Sequence, residues 1–397
     1  MSAVSIILLA LAAAGTLYHA LAACALVRRR SCVPASPPLP QGRGSQIPSP
    51  LGGRVRERGK VSVLKPVSGL DPNASDNFST FLAQDYPDYE VLFGVLDVDD
   101  PALSTICETV PRASVHIGSG IDGANNKVRI LHKLAEHAGG DILVITDSDV
   151  RVPPDFLSRI TAPFADERVG VVSCFYRGEA ARTLGDRLHA LHMSCVFAPG
   201  VACAERLHGL DFALGAAIAI RRSALDRIGG YEAIADYLAD DFQLGYRAAR
   251  SGWRVVLSDC VVDVVLGGER VRATIARELR WHVAQRVSRP WGYAGIVFTH
   301  GWAFALAFAA SVGFTALGWG ALLGASLVRF VGAWAGARKG LGDRTLPRYA
   351  YLLPLRDLLT FGVWIAGFVE RTVTWRGRKL RIVTGGRIVE AQPYRVR

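Results

Sequence analysis

Two carboxylates near the middle of the chain have the spacing of a divalent-cation site. Asp147 and Asp149 flank one serine directly after the apolar stretch 141–146. Mg²⁺ and Mn²⁺ typically bind one or two protein carboxylates together with phosphate oxygens of a substrate. The alternative is an ordinary aspartate-rich turn, because a bare Asp-x-Asp is a weak signal. The preceding strand and the other polar clusters favour the cation site.

Further acidic residues follow or precede other predicted elements. Asp97 comes after the apolar stretch 89–96, where it could accept hydrogen bonds from a nucleotide base or ribose, or cap a turn before Pro101. Asp240 and Asp241 precede a predicted helix at 242–251. An alternative role for Asp240 is to cap the N-terminus of this helix, where the helix dipole stabilises a negative charge. One of the pair could be a general base, which must stay ionised near a nucleophilic hydroxyl.

Cationic residues with the chemistry of diphosphate ligands lie elsewhere in the chain. Arg277 and Arg280 are three residues apart on a predicted helix and share a face. Guanidinium groups bind phosphate oxygens in a bidentate manner. Trp281 follows them, so a basic juxtamembrane helix with an interfacial tryptophan is an alternative. Lys127 begins a helix after a turn of small residues, which also suits phosphate.

The elements that must position these residues alternate between strand and helix. Apolar runs predict strands at 61–65, 89–96 and 141–146, and helices at 73–84 and 127–137. This alternation predicts a parallel sheet with right-handed crossovers. Asp97 and Asp147 then lie at the carboxyl ends of strands, where ligands bind in such sheets. Residues 60–290 are expected to form one α/β domain.

The two ends of the chain are apolar enough to enter a membrane. Residues 4–27 exceed the about 20 residues that cross a bilayer as helix, and Arg28–Arg30 follow. This charge order predicts a retained anchor over 1–30, with the N-terminus outside and the chain from Arg28 onward in the cytoplasm. The stretch 31–59, rich in Pro, Gly and Arg, is expected to be a linker.

A second membrane region is predicted at 291–372. The apolar block 294–334 can hold a helical hairpin, with a break expected near Gly318–Gly320. A further stretch, 349–369, contains Arg356 and Asp357 and either crosses the bilayer with paired charges or lies in the interface. The chain therefore has three or four membrane segments, followed by a basic tail at 373–397.

Composition narrows the class of partner only partly. The 397 residues are 50 % hydrophobic with a formal net charge of +11, and the mean hydropathy is +0.23. Disorder is excluded, and the charge suits nucleic acid, an anionic membrane or a phosphate-bearing substrate. Nucleic acid ranks last, because the basic residues lie beside apolar blocks. The seven scattered cysteines form no Cys-x-x-Cys pair and indicate buried thiols in a reducing compartment.

The set of motifs resembles the family-2-like glycosyltransferases of the GT-A fold. Their pattern is an Asp after a strand, an Asp-x-Asp, a later Asp base and a (Gln/Arg)-x-x-Arg-Trp. Here these motifs are Asp97, Asp147 with Asp149, Asp241, and Arg277-x-x-Arg280-Trp281. The chain is still more similar to the ceramide glucosyltransferase family, family 21, and to its bacterial relatives linked to hopanoid glycosylation. The matching stretches are 63–66, 84–91, 147–148, 151–155, 240–242 and 251–254.

The resemblance implies an α/β GT-A nucleotide-diphospho-sugar transferase domain with transmembrane helices at both ends. It implies an inverting enzyme that moves glucose or N-acetylglucosamine from a UDP-sugar to a lipid hydroxyl, either ceramide or a hopanoid. It places the enzyme in the bacterial inner membrane, with its catalytic domain in the cytoplasm. The apolar run 207–220 is expected to help deliver the lipid.

The resemblance also implies roles for single residues. Asp241 is the catalytic base, and Asp149 with Asp147 holds Mn²⁺ or Mg²⁺. The nucleotide-sugar ligands are Asp97, Lys127, Asp147, Arg277, Arg280 and Trp281.

Two departures from the animal ceramide enzymes concern the acceptor. Those enzymes have Asp-Ser-Gly where this chain has Asp149, and a His-Pro that is missing near 196–199. The hopanoid-linked relatives are more similar there.

Two other classes of protein remain as alternatives. A processive polysaccharide synthase would have Gln in place of Arg277 and more membrane spans. A non-catalytic membrane scaffold gives no reason for acidic clusters at strand ends.

Overall fold

The computed structural model describes residues 1–32, 60–111 and 113–391. The predicted linker therefore lies, apart from its first two residues, outside the described part of the chain. Most of the remainder is an α/β domain with a helical membrane region at each end.

A mixed sheet of eight strands forms the centre of the described chain, in the order β3-β2-β1-β4-β7-β6-β8-β5. In chain order, β1 to β8 are Val61–Pro66, Tyr89–Val95, Ser114–Ile117, Ile142–Thr146, Val150–Arg151, Val169–Glu179, Ala217–Arg221 and Arg254–Val265. The strands β3, β2, β1 and β4 are parallel, as predicted. In contrast, β7 runs antiparallel to both its neighbours. The wholly parallel expectation therefore fails at β7, and also at β5, which runs antiparallel to β8.

The described residues form fifteen α-helices. In chain order, α1 to α15 are Ala3–Cys32, Ala74–Leu82, Ala102–Thr109, Asn126–His137, Phe156–Thr161, Leu184–His192, Ala198–His208, Arg222–Arg227, Asp240–Arg250, Val271–Ser288, Pro290–Gly295, Gly301–Ser311, Ala316–Ala335, Leu346–Tyr349 and Leu353–Val369.

Each strand of the sheet centre contributes side chains to two hydrophobic clusters. Val63 and Val144 belong to one cluster, whereas their chain neighbours Leu64 and Ile145 belong to the other. Successive residues of a strand point to opposite faces, so both faces of the sheet are covered. This accounts for the uninterrupted apolar sequence of β4, and it fixes the strand ends from which the polar turns project.

The N-terminal helix packs lengthwise on the helices that follow the sheet domain. Ser5 near its start bonds to Ser311 Oγ (3.1 Å), and Gly15 lies against Gly301. At its other end, Arg29 Nε donates to Glu205 of α7 (2.7 Å). The start of α1 therefore lies with the end of α12, and its carboxyl end lies at the sheet domain.

Three described helices are long and apolar enough to cross a membrane: Ala3–Arg29, Ala316–Leu341 and Leu346–Val369. The pair Pro290–Thr299 and Gly301–Ser311 qualifies together but is bent by 56°. The hairpin break lies at Gly313 and Phe314, both at positive φ, and not near Gly318–Gly320 as predicted. The Thr315 hydroxyl caps the second helix by accepting from Gly318 N (3.5 Å), so the glycines at 318 and 320 lie inside α13.

The stretch predicted as a basic tail contains a small antiparallel sheet. Its strands are β9, Thr372–Trp375; β10, Arg378–Ile382; and β11, Ile388–Glu390. We call residues 372–390 the C-terminal sheet. Its buried Val373, Leu380 and Ile388 cluster with Leu238 and Val283 of the α/β domain. This sheet is therefore packed against the domain instead of extending from it.

Candidate active site

The turn after β4 is held by residues of two neighbouring segments. Lys65, fully buried at the end of β1, donates from Nζ to the carbonyl of Asp147 (2.6 Å). The Ser148 hydroxyl donates to the carboxylate of Asp71. Burial lowers the pKa of Lys65 to about 7, although the carboxylates of Asp149, Asp147 and Asp71 oppose this shift. The Asp-Ser-Asp turn therefore has a fixed geometry.

Lys127 lies between two of the predicted carboxylates. Its Nζ is 2.8 Å from Asp147 Oδ1 and 3.3 Å from Asp240 Oδ2. Burial lowers the pKa of Lys127, but Asp147 and Asp240 outweigh burial and raise it above the ordinary value. Asn125 caps this helix by accepting from Val128 N (3.3 Å). The start of α4 thus brings a permanent cation to the end of β4.

Asp241 lies on the first turn of α9, beside Asp240. Its Oδ1 accepts from the backbone N–H of Phe242 (2.8 Å). A Cβ at Gly215 would lie 2.8 Å from Asp241 Oδ2, so glycine is what permits this close approach. Burial and the charge of Asp240 raise the pKa of Asp241 to about 6, against the opposing effect of Lys127. A carboxylate with such a pKa can accept a proton near neutral pH.

Asp149 has the electrostatics of a carboxylate that lacks a counter-ion. Burial, Asp147 and Asp71 raise its pKa to about 7. Its side chain has no hydrogen bond or ion pair with the residues that the structure describes. No group of three or more His, Cys, Asp and Glu in those residues could hold a metal. The role of Asp147 and Asp149 in binding a hard cation, whose other ligands would come from a substrate, stays a prediction.

The helix α10 carries the two predicted arginines toward this cluster. Arg277 pairs with Glu269, and its positive charge partly opposes the rise in the pKa of Asp149. The Arg280 guanidinium lies 5.3 Å from the ring centre of Trp375 in the C-terminal sheet. Burial, together with the charges of Arg277 and Arg376, lowers the pKa of Arg280 to about 10. Arg280 makes no hydrogen bond with described residues, so its donors are available to an anion.

Two predicted residues lie apart from the carboxylate cluster. Asp97 is exposed after β2, where it accepts from the backbone of Asp99 (3.2 Å). Trp281 lies against His189 and His192 of α6, with ring centres 5.3 and 5.9 Å away. The roles of these two residues in binding a nucleotide sugar stay predictions.

The apolar run 207–220 does not act as one surface. Its second half enters β7, where Ala217 to Ile220 are fully buried in the sheet. These residues position Asp147 through the bond from its N–H to the Ala216 carbonyl (3.3 Å). The expectation that the whole run delivers a lipid is therefore wrong for the residues of β7.

Three residues of the site were missed from the sequence. For Lys65, the available sequence signal was its position as a charged residue at the end of an apolar strand. Asp71 lies just before the predicted helix at 73–84, and its bond to Ser148 depends on the fold. Arg376, which lies 3.5 Å from both oxygens of Asp71, comes from a stretch about 300 residues away, and no local pattern shows it.

Comparisons with known proteins give one family and one fold. The model of the family described as "Glycosyl transferase family 21" matches residues 10–388. Ceramide glucosyltransferase 1 of Caenorhabditis elegans is 22 % identical over 353 residues, which cover 83 % of this chain and 72 % of that protein. Ceramide glucosyltransferase 3 of the same organism is 23 % identical over 56 % of this chain, and the match spans 49 % of that protein.

A solved structure resembles the whole described chain. It is the mannosyltransferase PcManGT from Pyrobaculum calidifontis in complex with GDP-Man and Mn²⁺, which is 23 % identical. The match covers 91 % of this chain and 98 % of that one, with a TM-score of 0.51. At this identity the likeness concerns the fold, which is that of a GT-A-like glycosyltransferase.

Proposed function

The chain belongs to glycosyltransferase family 21, and on this premise we propose that it transfers one sugar from a UDP-sugar to a lipid hydroxyl. The sugar is glucose or N-acetylglucosamine, and the acceptor is ceramide or a hopanoid polyol. The main support for the proposal is that Lys127 pairs with both Asp147 and Asp240. Asp149 and Asp241 lie close to these two aspartates in the sequence. We further propose that the enzyme works at the cytoplasmic face of a bacterial inner membrane.

In the proposed reaction, Asp241 removes the proton from the acceptor hydroxyl. Its raised pKa makes it a competent base, and Gly215 leaves room beside its Oδ2 atom. The hydroxyl oxygen attacks the anomeric carbon as the bond to the diphosphate breaks, so the configuration at that carbon inverts. Asp240 stays paired with Lys127 (3.3 Å), which keeps the two neighbouring aspartates in different roles.

The departing diphosphate needs positive charge. Lys127, Arg277 and Arg280 are the cations that this chain supplies, and Arg280 has donors to spare. Fixed charges that meet developing negative charge lower the barrier of such a reaction. Asp149 and Asp147 would hold Mn²⁺ or Mg²⁺, which supplies further neutralisation of the leaving group.

A small cavity lies among the membrane helices. It has a volume of about 30 Å³, room for about two water molecules, with Tyr18, Val196, Pro199 and Trp302 in its lining. Phe197, between two lining residues, stacks on Tyr176 of β6 (5.0 Å). Burial and the charge of Asp241 raise the pKa of Tyr176, so this tyrosine connects the cavity with the carboxylates. We propose that the acceptor lipid approaches from these membrane helices, which would have to separate to admit it.

Product identification tests the proposal. Membranes that contain the full chain are supplied with UDP-glucose or UDP-N-acetylglucosamine and with ceramide or a hopanoid polyol. Mass spectrometry should show one added hexosyl unit with one of these pairs. Asp241→Asn should lower turnover by about 100-fold, the scale of general base catalysis, while UDP binding is kept. The exposed Asp226→Asn on α8 is the matched control and should be unaffected.

Other products would point elsewhere. A polymer would favour a processive synthase, and the absence of transfer with every pair would favour a scaffold. Near-normal turnover in Asp241→Asn would remove this residue from the role of base.

A further inference from the structure

The hairpin turn of the C-terminal sheet reaches the turn that carries Asp147 and Asp149. The two terminal nitrogens of Arg376 lie 3.5 Å from the two oxygens of Asp71. Asp71 accepts the hydroxyl of Ser148, the residue between the two aspartates. One carboxylate therefore separates the Arg376 guanidinium from the predicted metal site.

The same sheet is fixed to the domain at several points around the site. Arg378 Nη1 donates to the carbonyl of Ala124 (3.1 Å), three residues before Lys127. The N–H of Ile388 donates to the Asp236 carbonyl (2.7 Å). Trp375 lies beside Arg280. The C-terminal sheet is thus a wall of the site, and its turn is held in place.

Arg376 is an unusual residue for the turn that it occupies. Trp375 pairs with Arg378 across the hairpin, so Arg376 and Gly377 form a two-residue turn, with φ of 47° and 77°. Turns with positive φ at both positions strongly prefer Asn-Gly. A non-glycine residue held in this region has a local energetic cost, which is commonly found at functional positions. The side chain is 48 % exposed, and a pair at 3.5 Å in such a setting is weak.

We propose that Arg376 is a donor-binding residue whose guanidinium leaves Asp71 and binds the diphosphate of the nucleotide sugar. The proposal rests on the proposed function, because it requires a nucleotide diphosphate at this site. Arginine binds phosphate oxygens through two parallel hydrogen bonds, which are stronger than its loose pair with Asp71. With Arg277 and Arg280 on α10, Arg376 forms a group of three guanidinium ions from two separate elements.

Binding of UDP in the presence of Mn²⁺ to the full chain in detergent tests the proposal. Arg376→Asn creates the preferred Asn-Gly turn and should retain the wild-type unfolding temperature. We expect its UDP affinity to fall by about 10- to 100-fold, as for the loss of a charge-assisted hydrogen bond. Arg376→Lys keeps the positive charge but lacks the planar guanidinium, so its UDP affinity should lie between those of the wild type and Arg376→Asn. Arg376→Gly, which also suits the turn, should match Arg376→Asn.

A matched control lies on the same sheet. Arg381 on β10 is exposed and makes no side-chain bond with described residues, so Arg381→Asn should bind UDP like the wild type. Wild-type affinity in both Arg376→Asn and Arg376→Gly would overturn the role of Arg376 and leave the proposed function intact. A wild-type chain that binds no UDP would contradict the proposed function and this inference with it.

Discussion

The charges of the site are distributed so that neighbouring carboxylates have different properties. Asp240 pairs with Lys127 (3.3 Å), whereas Asp241 bonds only to the N–H of its neighbour Phe242 among described residues. Burial and Asp240 therefore raise the pKa of Asp241 to about 6. Lys127 pairs with Asp147 and Asp240. Asp241 and Asp149, which have no such partner among described residues, are the site carboxylates with raised pKa values.

The pKa of Asp241 predicts how turnover depends on pH. The base is active when deprotonated, so turnover should fall about tenfold for each pH unit below 6 and level off above it. The measurement is the initial rate of sugar transfer at saturating substrates between pH 4.5 and 8. The residual rate of Asp241→Asn should lack this step near pH 6. A wild-type rate that is constant from pH 4.5 to 7 would contradict the assignment.

The electrostatics of Asp149 predict a requirement for a divalent cation. Dialysis against EDTA should abolish transfer, and Mn²⁺ or Mg²⁺ should restore it, because two carboxylates and a diphosphate repel one another without a cation. Asp149→Asn should weaken Mn²⁺ binding, as measured by titration in the presence of UDP. Asp155→Asn, which changes an exposed carboxylate on the adjoining segment, is the control. Full activity after EDTA treatment would exclude this role.

Sequence patterns identify those site residues that belong to a local motif. The Asp-x-Asp turn and the Asp pair of α9 follow or begin predicted elements, and the structure brings them within reach of Lys127. Asp71 and Arg376 could not be predicted, because their contact joins segments about 300 residues apart. Such contacts depend on tertiary packing, which a local sequence window does not contain.

The boundaries of helices and strands could likewise be predicted only where a local sequence pattern marks them. The strands at 61–66, 89–95 and 142–146 and the helices α2, α4 and α9 lie close to the predicted ranges, because each has an apolar pattern of its own. The break at Gly313 was missed, since the glycine-rich segment that follows resembled a better turn. The N-cap hydroxyl of Thr315 decides the start of α13 instead.

The helix that carries Arg277 and Arg280 is linked to the membrane region through a buried ion pair. Glu278 of α10 lies between Arg277 and Arg280 in sequence and accepts two bonds from Arg356 of α15 (2.7 and 2.6 Å). Both side chains are fully buried. Burial raises the pKa of Glu278, but His192, His189 and Arg356 outweigh it and hold the pKa well below its usual range. This pair fixes α10 against α15.

Removal of Glu278 should therefore destabilise the protein strongly. Glu278→Ala leaves the Arg356 guanidinium buried without a counter-charge, at a cost of about 3–5 kcal/mol. The unfolding temperature in detergent should fall clearly. Glu390→Ala breaks the exposed pair with Arg378 and should change the free energy of unfolding by less than about 1 kcal/mol. Equal effects of the two variants would show that the buried pair is not a structural link.

For the molecule as a whole, the sequence predicts an α/β domain between two membrane regions, and the family match and the fold confirm this class. The C-terminal sheet was not predicted as structure. Its strands are short, and residues 372–390 include four arginines and one lysine, so the stretch resembles a solvated tail. Their stability depends on Leu238 and Val283 of the α/β domain, which lie far away in sequence.

The packing of this sheet constrains how many times the chain crosses the bilayer. The α/β domain and the C-terminal sheet touch, so they lie on the same side, and the chain between them must cross an even number of times. Three candidates lie there, so at most two of them cross. Both ends of α15 lie beside α10, through Arg356 with Glu278 and through the Gly367 carbonyl with Arg286. We therefore infer that α15 stays on the domain's side.

This parity predicts three crossings in total, formed by α1, the bent pair and α13. Reporter fusions after Phe314 and after residue 397 should then report opposite sides of the membrane. With the domain in the cytoplasm, alkaline phosphatase should be active after Phe314, and a fluorescent protein should fold after residue 397. The same side for both fusions would mean that α13 and α15 either both cross or both do not cross, which would overturn the assignment of α15 to the domain's side.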